Sequence, residues 1–84
     1  MATINSIESK MERDPVLIKI GEKVRMLRKS NPEYINYEVF AYKNNINRVT
    51  LFKIEKGENH NIASLVKIIR ALGITVEDFF KGIE

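Results

Sequence analysis

Apolar positions along the chain recur with helical spacing. After Asp14-Pro15, an N-cap acid followed by proline, Leu17, Ile20, Val24 and Leu27 mark one face of a first helix reaching about Ser30. Asn31-Pro32 ends it, because proline disfavours helical geometry in the residue before it. Asn36 opens a short second helix to about Asn44 with Phe40 and Ala41 inward, and Asn44-Asn45 can supply a left-handed closing residue. Ile46 is the one apolar residue of the polar turn that follows and reads as a plug beneath it. Asn47 caps a third helix through Lys56, with Leu51 and Ile54 on one face and Gly57 as its stop. Asn61 opens a fourth helix, periodic at Ile62, Leu65, Ile68, Ile69 and Leu72 and stopped by Gly73. Thr75-Val-Glu-Asp78 resembles a capping box with Asp for Glu, starting a fifth helix that carries Val76, Phe79 and Phe80. No segment alternates like a strand over more than four residues, so the expected fold is all-α, five helices with short loops. Residues 1–13 are polar and lack a sustained period, and read as a mobile arm or short frayed helix before a domain at 14–84.

Composition narrows the class. Eighty-four residues suit one core, and 44% apolar content is too much for a disordered chain. Cysteine is absent and histidine occurs once, so disulfides, thiolate metal sites and His-rich sites are excluded or improbable; no metal and no cofactor are expected. The longest apolar runs are short (Val16-Leu17-Ile18, Ile68-Ile69), so nothing is expected to span a membrane. The N-terminus lacks a basic-then-apolar signal pattern, which makes the cytoplasm the expected compartment. No carboxylate pair, nucleophile–base set or Gly-rich phosphate loop is visible, so an enzyme is not expected. Glu77-Asp78 suits the positive end of a helix dipole.

Charge changes the picture more. Fourteen bases against eleven acids give +3. Residues 1–20 and 61–84 each balance three bases with three acids, whereas residues 21–60 carry eight bases against five acids. The whole excess therefore belongs to the first three helices. A local positive field raises encounter with polyanions, although +3 is also an ordinary solubility charge.

Helix, four-residue polar turn, helix is the geometry that lets a second helix enter a DNA major groove. It falls at about 36–57, where Phe40, Ala41, Ile46, Leu51 and Ile54 would lock the two helices together. Gly21-Glu-Lys-Val-Arg-Met-Leu-Arg28 resembles the first helix of the Cro/C1-type (Xre-like) helix-turn-helix regulators. Phe40-Ala41, Ile46-Asn47, Leu51, Ile54-Glu55-Lys56-Gly57, Leu65 to Gly73 and Glu77 to Phe80 continue the resemblance in order, over about residues 15–81. It implies a five-helix, lambda-repressor-like DNA-binding domain that works as a homodimer on a two-fold operator. The chain departs from the family pattern at four places. The link from Ser30 to Ile35 is long, and Asn44 and Asn45 replace an apolar residue and Gly. The loop at Glu58-Asn59-His60-Asn61 lacks a base and Pro, and Tyr37 stands where Gln is common.

The resemblance also implies roles for residues. Arg28 and Glu55 match an ion pair joining the first helix to the end of the third. Arg48, Val49 and Phe52 match base-reading positions: Arg suits guanine O6 and N7, and the apolar pair suits thymine methyls. Phe52 leaning onto the core, or a protein contact through Val49 and Phe52, is the alternative. Asn36, Tyr37, Lys43, Thr50 and Lys53 are candidates for phosphate contact; Asn36 is equally a plain cap, Asn47 reads as a cap, and His60 as a solvated loop residue. Phe80 and Ile83 could form an apolar strip for dimerisation or fray with the chain end. The expected function is a sequence-specific double-stranded DNA-binding regulator, a small homodimeric repressor. The alternatives are an antitoxin with a toxin partner, or a protein-interaction module that kept the fold without DNA binding.

Overall fold

The computed structural model describes residues 14–83, all helix and connection, with no strand among them. The arm expected at 1–13 lies outside the described residues. Among the described residues five α-helices follow in order: α1 (Pro15–Lys29), α2 (Tyr37–Lys43), α3 (Arg48–Glu55), α4 (Ile62–Ala71) and α5 (Val76–Phe80), with a 3-10 turn at Pro32–Tyr34 between α1 and α2.

Each helix starts on a side-chain cap. Asp14 accepts from the Val16 amide, and Asn36, Asn47 and Asn61 accept from amides two or three residues on, in the first turns of α2, α3 and α4. Thr75 Oγ1 accepts from the Asp78 amide at 3.0 Å. Such caps satisfy amides that have no partner inside the helix. Helix ends are equally local. The Ile46 amide bonds to the Ala41 carbonyl and the Asn45 amide to Tyr42, a Schellman closure with Asn45 at φ 55°. Ile46 follows the left-handed residue and packs against the core, so its position in a polar turn is part of that closure. Gly57, at φ 80°, closes α3 in the same way, with Glu58 bonding back to Lys53 and Gly57 to Ile54.

The core consists of Ile20, Val24, Phe40, Ala41, Leu51, Ile54, Leu65, Ile68, Ile69 and Phe79, so every α-helix contributes to it. Burying these side chains is the main favourable term in folding. Leu17, Leu27, Leu72, Phe80 and Ile83 pack half-buried at its margin. One expectation needs correction. Ile62 lies 65% exposed; it is the first residue of α4, one turn before Leu65 and beyond the edge of the core. The long Ser30–Ile35 link holds a 3-10 turn: Asn31 accepts from the Glu33 amide and Pro32 starts the turn.

Close backbone approach sets α3 against α1. A methyl built on Gly21 would stand 2.3 Å from the Ile54 carbonyl oxygen and 2.8 Å from that of Glu55. Only glycine lets the α1 backbone lie this near the carboxyl end of α3.

Candidate nucleic-acid interface

Helix α3 is held on its inner face and at its carboxyl end. Leu51 and Ile54 are fully buried. Arg28 donates from Nε to Glu55 Oε2 at 2.6 Å and from Nη2 to Oε1 at 2.9 Å. Its Nη1 donates to the Tyr34 carbonyl at 3.0 Å and also to that of Ile35. One guanidinium thus ties α1, the 3-10 turn and the end of α3 together.

The outer face of α3 is open. Val49 and Phe52 are 55% and 47% exposed, and Arg48 and Lys53 are exposed beside them. Phe52 does not fold onto the core. Its ring lies 6.0 Å from that of Tyr37 on α2, and Lys56 Nζ sits 5.1 Å from its centroid. Tyr37, Glu38, Arg48, Val49 and Phe52 line one shallow hollow of about 300 Å³. The three residues expected to read bases and one expected to meet phosphate therefore share a surface built from α2 and α3.

Ion pairing modifies the expected electrostatics. Arg48 Nη1 stands 2.9 Å from Glu38 Oε2, and Lys43 Nζ stands 2.7 Å from Glu33 Oε2. The Glu33 hydrogen bond, and then its charge, raise the Lys43 pKa above its ordinary value. Asn36 Oδ1 accepts from the Glu38 and Val39 amides, so its oxygen serves as the cap of α2. Thr50 is half-buried and faces a different depression, a polar groove of about 480 Å³ with Asn45, Ile46, Asn47, Ser64 and Lys67. Lys67 Nζ donates to the Asn45 carbonyl across that groove at 2.5 Å. His60 Nδ1 lies 3.1 Å from the Glu58 carbonyl in its own loop. Among the described residues, no group of His, Asp or Glu is placed to hold a metal ion.

Phe80 and Ile83 lie apart from this surface. Phe80 meets Phe79 edge-on at 5.2 Å, and Ile83 bonds back to the Phe80 carbonyl. Both pack against the chain's own core, so their apolar area is partly used within the fold. Glu38 lines the first hollow and Ser64 and Lys67 the polar groove, though no motif in the sequence includes them. Glu38 meets Arg48 ten positions away and Lys67 meets the Asn45 carbonyl twenty-two positions away, and no local pattern marks such a contact.

A curated relative decides the family. The control protein C.MunI of a Mycoplasma species is 34% identical over 70 residues, covering 82% of this chain and 93% of its own length. The chain belongs to the control-protein family. That membership supports a helix-turn-helix regulator. No model of a known protein family matches the chain, and no solved structure matches it. Among the described residues of this chain, no helix is long and apolar enough to cross a membrane.

Proposed function

We propose that the chain is a sequence-specific double-stranded DNA-binding transcriptional regulator that works as a homodimer, with α3 in the major groove. The observation that carries this reading is the outward face of α3. Arg48, Val49 and Phe52 project together while Leu51, Ile54 and the Arg28–Glu55 pair hold the helix from behind. Arg48 would read guanine, and Val49 and Phe52 would read thymine methyls. Tyr37, Thr50, Lys53, Lys43 and Asn36 are the proposed phosphate contacts, the last two only if they turn from their present partners. Phe80 and Ile83 remain the proposed dimer contact. Two copies would set half-sites ~34 Å apart. Control proteins are associated with restriction–modification systems, so the genes proposed to be regulated are of that kind, with repression the simplest mode.

One observation favours a second reading. Val49 and Phe52 present apolar side chains to solvent beside Tyr37, which also suits a protein partner, a toxin included. Selection from a random duplex library, followed by titration at two salt concentrations, separates the readings. A two-fold site whose affinity falls steeply with salt is expected for the regulator. Absence of any enriched site, with only weak binding erased by salt, would overturn it in favour of a protein partner.

A further inference from the structure

The Glu38–Arg48 pair joins the first turn of α2 to the first residue of α3. Both side chains are mostly open to solvent, so the pair adds little to folding. Its consequence lies in binding. A guanidinium presents five N–H donors in one rigid plane. In this structure Arg48 places one terminal nitrogen on the Glu38 carboxylate, which leaves other donors of the plane for a base edge. The carboxylate also offsets the charge that would draw Arg48 to any phosphate on any duplex. Lys43 has an equivalent partner in Glu33, but that pair lies outside the hollow that Arg48, Val49 and Phe52 share.

Resting on the DNA-binding reading above, we propose that Glu38 is a specificity-determining positioning residue. It orients Arg48 for base reading and withholds the Arg48 charge from non-specific phosphate contact. Affinity from Arg48 then accrues where hydrogen-bond geometry matches, and little accrues elsewhere.

The test uses the full chain, the operator recovered by selection, and a random duplex. Glu38→Gln removes the charge with little change of shape. Glu33→Gln removes a nearby acid that touches none of the base-reading residues. Melting curves of both variants establish that they fold. For Glu38→Gln, random-duplex binding tightens, its salt slope steepens by about one, and the operator-to-random affinity ratio falls by about five- to tenfold. The discrimination lost is at the base pair that Arg48→Ala also relaxes. Glu33→Gln shifts both affinities together and keeps the ratio. An unchanged ratio in Glu38→Gln, or the same fall in both variants, overturns the proposal and makes Glu38 a general surface charge. Failure of the unaltered chain to prefer any operator is a different result: it removes the DNA-reading function, and this role for Glu38 with it.

Discussion

Arg28 on α1 and Glu55 at the end of α3 meet as a two-pronged fork, with their side chains only 4% and 11% exposed. The remaining Arg28 donor holds the carbonyls of Tyr34 and Ile35. Two charges removed from water in this way depend on each other, because loss of one strands the other without its solvation. Glu55→Ala and Arg28→Ala are each expected to destabilise the fold by about 3–5 kcal/mol. Arg28→Ala carries the larger loss, since it also frees two carbonyls. Urea denaturation measures both, and losses below about 1 kcal/mol would place the pair among ordinary surface bridges.

Gly21 makes the opposite prediction from helix propensity. In an open helix, Gly→Ala stabilises by about 1 kcal/mol. Here the added methyl meets the Ile54 and Glu55 carbonyl oxygens, both backbone atoms that move only if α1 and α3 separate. Gly21→Ala is therefore expected to lower the melting temperature clearly. A rise would mean that the two helices slide apart without cost.

Asn45 holds a left-handed conformation that costs a side-chain-bearing residue more than glycine. Its hydrogen bonds to Tyr42 and from Lys67 are made by its backbone, so Asn45→Gly keeps them. The variant is expected to gain about 0.5–1 kcal/mol. Thermal melts that show no gain would point to a role for the Asn45 amide side chain.

Lys23 reaches from α1 to the carboxyl end of α5, 3.4 Å from the Asp78 carbonyl oxygen and 3.1 Å from that of the C-cap Lys81, with its ammonium 5.4 Å from the Phe79 ring centroid. A cation is favoured at a helix carboxyl end. Lys23→Met keeps the apolar stem and should cost about 0.5–1 kcal/mol in denaturant melts. Hydrogen exchange should rise most at the amides of residues 79–83. Uniform exchange across the fold would contradict a local capping role.

Arg48→Ala tests base reading without disturbing the core. Its side chain is exposed, so stability should change by less than about 0.5 kcal/mol. Operator affinity should weaken, and discrimination at one base pair should drop by about 1–3 kcal/mol. Equal weakening on every sequence would instead assign Arg48 to phosphate.

Helix existence, most helix ends and most of the core were legible in the sequence because their causes are local. Asn36, Asn47 and Asn61 bond to amides two or three residues on, and Gly57 and Asn45 close helices through bonds spanning three to five residues. The periodic apolar face that named Ile20, Val24, Leu65, Ile68 and Ile69 is likewise a property of one helix at a time. Ile62 has the same spacing yet is exposed, because period alone does not say where the core stops. Nothing within α1 brings Arg28 to Glu55, 27 positions away; resemblance to a family suggested that pair, and the tertiary structure added the Tyr34 and Ile35 carbonyls. The same holds for Glu38 on Arg48 and Lys67 on the Asn45 carbonyl. Such contacts depend on how α1, α2 and α4 are set around α3. Packing and close backbone approach decide that arrangement, and no short-range signal in the chain encodes it.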